Sequence, residues 1–242
     1  METVTIGGRE LGGEFIVTNV NRAVASVSPS LELVGGGGRY VNKGSVMTPP
    51  TISFSVIFPD GDQISRRDRV RQLASLLTVG RFVDVAFSSD MGLYYRAMPT
   101  NPIDTRETVR SGSSTVVMTC ESVAMYGAER SVTVPSGGSV GIYVDGSWPT
   151  YPTIRAASAV ADQSTGLWGI SFDGVQLLRV EPPTQSPVTV SIDCEEGLCE
   201  VAGVTSMITL DSDWVELQAG QHTISNNLGT GACVVTWRER WL

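Results

Sequence analysis

The sequence predicts a mainly β protein of two β-sandwich-type domains, the first of which carries one amphipathic helix. Short runs rich in Val, Ile, Thr, Phe and Tyr recur between clusters of Gly, Pro, Asn and Asp, as strands and turns require. Only the segment from Ser65 to Gly80 has helical spacing of its apolar residues. A length of 242 residues fits one large β-domain or two compact domains.

The strands are predicted from alternation of apolar and polar residues. In Thr51–Phe58 the residues Ile52, Phe54, Val56 and Phe58 share one parity, and serines occupy positions of the other. Such a strand packs one face and exposes the other. The six clearest predicted strands are Thr51–Phe58, Arg81–Phe87, Leu93–Met98, Ser114–Cys120, Leu167–Phe172 and Ala232–Trp237.

The single helix is predicted to begin at Ser65, because Ser65-Arg66-Arg67-Asp68 has the form of a capping box. An apolar face follows at helical spacing, and Gly80 supplies a C-terminal stop. That face consists of Val70, Leu73, Ala74 and Leu77. Four arginines near the start oppose the helix dipole. Either they are held for contacts with a partner, or they form a solvated basic face.

Two glycine-rich segments interrupt the strand pattern. The first, from Val34 through Pro50, predicts a long mobile loop or arm, because glycine and proline weaken strands. The second, Pro135–Ser139, indicates a linker, and we predict a domain boundary near residue 130. The domains are therefore 1–130 and 131–242. Within the second domain, 188–193 and 200–205 are predicted to form a hairpin with an acidic tip.

Composition excludes several classes of function. Apolar residues make up 41% and charged residues 17%, which is typical of an ordered globular chain. A net charge of −8 argues against binding nucleic acid phosphates. Neither a signal peptide nor a membrane span is indicated, so we expect synthesis in a cytoplasm. The four cysteines, without paired spacing, are expected to be reduced thiols.

No catalytic, cofactor or metal site is predicted. His222, the only histidine, lies in no nucleophile motif and is expected in a turn. The run Gly35–Gly38 lacks the spacing of a phosphate-binding loop. Clustered acidic residues could bind calcium, but a solvated hairpin tip is the favoured interpretation. They are Asp193, Glu195, Glu196 and Glu200, with Asp211 and Asp213 as a second pair. A glycosidase pair of carboxylates has no support from spacing.

The five tryptophans all follow residue 145, and aromatic rings can stack on sugars. Trp168 and Trp237 share strand parity with apolar residues, so both are predicted to lie in a core. Trp148, beside Pro149 and close to Tyr151, is the better candidate for an exposed aromatic. Trp148 and Tyr151 are therefore the candidate contacts to carbohydrate or to a partner protein.

Taken in order, several stretches resemble the distal tail (Dit) family of siphophages over nearly the whole chain. Early ones are Ile6-Gly-Gly, Phe15-Ile-Val, Arg39-Tyr40 and Ile52–Phe58, followed by the helix, Val83–Phe87, Leu93–Ala97 and Val116–Cys120 with Tyr126-Gly127. The most specific stretch is the ending Trp214–Ile224, with Val234–Trp237 and Arg240-Trp241. The family often has Pro-Gly-Asn where this chain has Ala219-Gly220-Gln221, but the turn glycine is kept.

The resemblance implies a non-enzymatic structural protein of the virion tail tip. Six copies would form a ring, with N-terminal domains as the hub and galectin-like C-terminal domains outside. The ring would join the tail tube protein to tail-tip and receptor-binding proteins, and DNA would pass through without specific binding. Candidate oligomer contacts are Arg39, Tyr40, Arg66 and Arg67. The alternative is a carbohydrate-binding module that acts in adhesion to the host surface.

Overall fold

The structure is a computed structural model that describes residues 2–12, 15–34, 39–58, 63–77, 80–100, 104–107, 112–183 and 186–242. These residues form twenty strands, one α-helix and a short 3₁₀ helix at Ser88–Asp90. The predicted mainly β class with a single α-helix is therefore confirmed. The chain divides into two compact units, Met1–Tyr126 with Leu242, and Gly127–Trp241. Among the described residues, no helix has the length and apolar character to span a membrane.

The first unit contains ten strands that lie before residue 121. They are β1 (Val4–Ile6), β2 (Arg9–Leu11), β3 (Ile16–Arg22), β4 (Ser26–Val34), β5 (Arg39–Thr48), β6 (Thr51–Phe58), β7 (Val83–Phe87), β8 (Tyr94–Pro99), β9 (Asp104–Glu107) and β10 (Gly112–Cys120). Eight of them form an antiparallel sheet in the order β2-β1-β7-β8-β10-β6-β3, with β9 beside β10. Among the described residues, strands β4 and β5 pair with each other and with no other strand.

Strand β6 has the bounds and the alternation that its sequence predicts. Ile52, Phe54, Val56 and Phe58 are buried, and the intervening residues are partly exposed. Phe54 packs edge-to-face on Phe87 of β7, with 5.9 Å between the ring centroids. The alternation therefore places one face of β6 in the core of the first unit.

Helix α1 spans Gln63–Leu77 and begins two residues before the predicted start. The predicted capping box is wrong, because a capping residue precedes the helix and Ser65 lies inside it. The predicted apolar face is correct: Leu73 and Leu77 are buried, and Val70 packs against the same core. The apolar face of the helix therefore fixes it to the core of the first unit.

The segment predicted as a loop or arm is largely regular strand. Strands β4 and β5 form a two-stranded antiparallel ribbon, and Gly35–Gly38 lie outside the described residues. Glycine does not prevent pairing in β5, because Gly44 lies where the register shifts by one residue and has a φ of +156°. The described part of this segment is thus a two-stranded ribbon and not the expected loop.

The second unit contains two sheets. Its strands are β11 (Met125–Val134), β12 (Ser139–Val144), β13 (Thr153–Ala159), β14 (Trp168–Phe172), β15 (Gln176–Val180), β16 (Val188–Asp193), β17 (Leu198–Val201), β18 (Val204–Ser206), β19 (Gly220–Leu228) and β20 (Cys233–Trp241). One sheet has the order β12-β19-β14-β15, and the other β18-β17-β16-β13-β20-β11. Trp168 and Phe172 from the first share a core with Ile154, Ile192 and Val235 from the second. The unit is therefore a β-sandwich, and its galectin-like character stays a prediction.

The chain divides between Tyr126 and Gly127, close to the boundary predicted near residue 130, which itself lies inside β11. Two other predictions differ from the structure. Pro135–Ser139 is a tight turn rather than a linker, because the Gly138 N–H donates to the Pro135 carbonyl at 3.1 Å. The second hairpin strand is divided into β17 and β18 by Ala202 and Gly203, which both have a positive φ.

All four cysteines are buried and free. Burial raises the pKa of Cys120, Cys199 and Cys233 to about 11 and that of Cys194 to about 12. Since the thiolate is the reactive form, we expect the native protein to resist alkylation at about pH 8 and to gain four adducts after denaturation. Mass spectrometry of protein purified anaerobically tests this. A stoichiometric Cys194–Cys199 disulfide would contradict it.

Candidate functional site

The candidate aromatic pair lies in the segment between β12 and β13. Trp148 is half-buried, and its backbone N–H donates to the Arg240 carbonyl at 3.1 Å. Tyr151 is also half-buried, and its hydroxyl lies 3.2 Å from the Glu216 Oε2. Burial and the neighbouring Glu216 raise the pKa of Tyr151. The pair stays a prediction as a contact to carbohydrate or to a partner.

Arg240 organises this end of the second unit. Its guanidinium lies over the Tyr151 ring, 5.5 Å from the centroid, and donates to the Glu195 Oε1 at 2.7 Å. Its side chain is only 6% exposed. Gly146 passes so close that an added Cβ would lie 2.2 Å from the Arg240 carbonyl oxygen. Sequence reasoning missed this cluster because its members are separated by dozens of residues.

The tryptophans divide between core and surface. Trp168 and Trp237 are buried, as their strand parity predicts. Trp214 is 40% exposed and therefore more exposed than the half-buried Trp148, which corrects the choice of Trp148 as the better exposed aromatic. Its ring faces Gly197 at the tip of the β16–β17 hairpin. The aromatic surface of this end thus depends on Trp214 as well as on the predicted pair.

The acidic residues are held by protein contacts. The Asp193 carboxylate accepts the backbone N–H groups of Glu195 and Glu196 at 3.0 and 3.1 Å. Asp211 accepts a charge-assisted hydrogen bond from Arg179. Within the part of the chain that the structure describes, no group of three or more Asp, Glu, His or Cys residues is placed to hold a metal ion. The Asp193 interactions fit a hairpin tip better than a calcium loop.

His222 lies in strand β19, so the expectation of a turn residue is wrong. Its Nδ1 is 2.7 Å from the Asp173 Oδ2, and its Nε2 is 2.7 Å from the Gln218 carbonyl oxygen. The Thr223 N–H and His222 lower the pKa of Asp173. His222 therefore fastens β19 to the β14–β15 turn.

The Asp173 contacts predict a pH dependence of stability. A carboxyl whose pKa is lower in the folded state stabilises the fold above its unfolded pKa of about 4, and this contribution is lost as pH falls. Asp173→Asn should therefore lower the melting temperature at about pH 7 and have a smaller effect at about pH 3.5. Asp145→Asn, at an exposed position, is the control. Equal effects of Asp173→Asn at both pH values would contradict this assignment.

The candidate oligomer contacts lie on two elements of the first unit. Arg66 and Arg67 belong to helix α1, where Arg67 is exposed. Arg39 and Tyr40 begin strand β5 of the ribbon, opposite Val34 and Leu33. The side chains of Arg39, Tyr40 and Arg66 lie outside the described part of the structure. The structure thus assigns each residue to an element, and its role as a contact stays a prediction.

Comparison with known proteins gives matches in sequence and in fold. Residues 145–241 match the family model of the siphovirus-type tail component, C-terminal domain, named for SPP1 Dit. The crystal structure of SPP1 Dit, described as a paradigm of the hub adsorption apparatus of phages infecting Gram-positive bacteria, is 18% identical, with a TM-score of 0.79 and 100% of each chain covered.

Two structures of the phage P2 baseplate in its activated conformation are more distant. The form with Ca has a TM-score of 0.54 and the form with Sr 0.53, each at 9% identity and 98% coverage of both chains. Comparison with curated protein sequences finds no match. Residues 145–241 therefore match the C-terminal domain of a siphovirus-type tail component, and the chain as a whole has the fold of SPP1 Dit.

Proposed function

We propose that this protein is a non-enzymatic hub of a phage tail tip. Six copies form a ring that joins the tail tube protein to tail-tip and receptor-binding proteins. The observation that carries the proposal is the tail-component domain at residues 145–241, supported by the full-length fold of SPP1 Dit, itself described as a hub protein. The subunits are made in the host cytoplasm and assemble into the virion tail.

The ribbon of the first unit supports assembly. Val27 and Leu31 share one face of β4, because they are four residues apart on a strand without an inserted residue. Each is 55% exposed, and Val27 pairs with Met47 of β5. Exposed apolar side chains on this ribbon fit an interface with a neighbouring copy. A ring needs two different patches on each subunit, and this ribbon supplies one of them.

Charge offers a second source of complementarity. The chain has a net charge of −8, while Arg66 and Arg67 lie in the first turns of α1. A basic patch on an acidic protein attracts an acidic surface of the next copy, and this part of the contact weakens as salt rises. Acidic subunits around a lumen would also repel DNA and let it pass.

Leu31→Asp should dissociate the ring without unfolding the subunit. The charge replaces an exposed apolar residue on the proposed contact face, so assembly loses more than folding does. Ser30→Asp adds the same charge at the neighbouring position, whose side chain lies on the opposite face of β4. Light scattering should give a lower mass for Leu31→Asp only, with unchanged melting temperatures. A ring that survives Leu31→Asp would remove this face from the proposal.

Lys43 makes the ribbon accessible to a second test. It is the only lysine in the sequence, and it lies on β5 two residues after Val41, the register partner of Glu32, and forms an ion pair with Glu32. A photo-crosslinker attached through this amine should join copies into a ladder that ends at six. Lys43→Arg controls for attachment at the N-terminal amine. Products limited to single chains would contradict the proposed contact.

The adhesion hypothesis attributes carbohydrate binding to Trp148 and Tyr151. Tyr151 already packs under Arg240 and hydrogen-bonds Glu216, so a sugar would compete with protein contacts for it. Loss of binding to arrayed glycans on Trp148→Ala would support adhesion at this segment. Retention of a sixfold ring in that variant would separate adhesion from the hub function.

A further inference from the structure

A groove of about 590 Å³ lies on the outer face of the six-stranded sheet of the second unit. Its volume falls in the range of roughly 300–1,000 Å³ typical of small-molecule sites. Strands β13, β16, β17 and β20 supply the residues used below, which are Arg155, Ala157, Thr189, Ser191, Glu200 and Val234. These side chains alternate with buried core residues such as Ile154, Ile192 and Val235. The groove therefore belongs to the solvent-facing side of the sandwich.

The strand register forms one row across this face. Arg155 pairs with Val234 on one side and with Ser191 on the other, and Ser191 pairs with Glu200. Arg155 and Glu200 are thus two strand spacings apart, about 10 Å between their Cα atoms. Ser191 is small and leaves space between two long charged side chains. Ala157, two residues after Arg155 on β13, also has a small side chain and leaves space in the groove beside Arg155.

The polar groups of the groove are available to a ligand. In the described part of the chain, the side chains of Arg155, Ser191 and Glu200 form no hydrogen bond or ion pair with protein. Arg155 offers only donors and Glu200 only acceptors, while the Ser191 and Thr189 hydroxyls offer both. Their formal charges cancel across the groove, and methyl groups of Ala157, Thr189 and Val234 lie among them.

We propose that this groove binds a neutral saccharide. Sugar hydroxyls donate and accept hydrogen bonds, so they can bridge Arg155 and Glu200, and C–H groups of the ring can contact the methyl groups. A phosphate-bearing polymer would be attracted by Arg155 but repelled by Glu200. A cation would be attracted by Glu200 but repelled by Arg155. This inference goes beyond the hub function and does not depend on ring formation.

The test uses the full-length chain and a panel of neutral methyl glycosides of glucose, galactose, N-acetylglucosamine and rhamnose, titrated with NMR detection. Poly(glycerol phosphate) is the anionic comparator. At least one neutral glycoside should bind. Arg155→Ala and Glu200→Gln should each lower its affinity about tenfold or more, because each variant loses a charge-assisted hydrogen bond. Ala157→Phe should abolish binding by filling the groove while the polar groups remain.

Matched controls lie away from the groove. Arg81→Ala and Glu181→Gln make the same chemical changes at exposed positions and should leave the affinity unchanged. The proposal is overturned if no neutral glycoside binds, if binding survives Arg155→Ala and Ala157→Phe, or if poly(glycerol phosphate) binds more tightly than every glycoside. If glycoside binding is lost in Trp148→Ala but not in the groove variants, the saccharide binds at the segment that contains Trp148 and Tyr151, and not in the groove. Light scattering on the same samples reports ring formation separately.

Discussion

Leu73→Asp should unfold the first unit while the second unit remains folded. Leu73 is 1% exposed, and with Leu77 it fixes helix α1 to the core of the first unit. An aspartate there either buries an unpaired charge or separates the helix from the sheet. The loss of packing and the desolvation of the charge together cost about 4 kcal/mol or more, which is comparable to the whole stability of a small domain.

The matched control is Ser75→Asp, which adds the same charge at an exposed position of the same helix. Its melting temperature should stay close to that of the parent protein. Calorimetry of Leu73→Asp should show that one transition is lost or strongly lowered and that the transition of the β-sandwich is unchanged. If both variants melt like the parent protein, the assignment of the helix face is wrong.

If the chain is divided between Tyr126 and Gly127, the first fragment should assemble into a ring and the second should fold by itself. We expect residues 1–126 to form the ring and residues 127–242 to remain a monomeric sandwich. The ribbon and the arginine-rich helix lie in the first unit, and the second has its own core. This junction is preferable to residue 130, which would divide the part of β11 that belongs to the second unit.

Both fragments should be measured by light scattering over a range of protein concentrations, because a weak ring dissociates on dilution. High salt should lower the mass of the first fragment if the basic patch contributes to the contact. A monomeric first fragment together with an oligomeric second one would reverse the proposed roles of the two units.

The features that the sequence predicts correctly are those set by the spacing of apolar residues within one strand or one helix. Strand β6, the apolar face of α1, and the buried positions of Trp168 and Trp237 all follow from spacing within one element. In each case the side chains that share a face are close in sequence, so one pattern determines both the element and its buried side. The predicted and observed helix starts differ because a short capping motif also occurs inside helices.

The remaining features depend on pairs that are distant in sequence. His222 meets Asp173 across 49 residues, and Arg240 meets Glu195 across 45. The groove requires the register of β13, β16 and β17, which no single stretch encodes. The glycines of this segment predict a loop, whereas a bulge at Gly44 permits β4 and β5 to pair as a ribbon.

The mass of the intact chain in solution tests the hub proposal most directly. Light scattering coupled to size-exclusion chromatography, at high protein concentration and low salt, should give six times the subunit mass of 25.8 kDa. Negative-stain images of the same peak should show rings with sixfold symmetry. A single species of 25.8 kDa at every concentration would contradict the proposal that this protein assembles by itself into a hub.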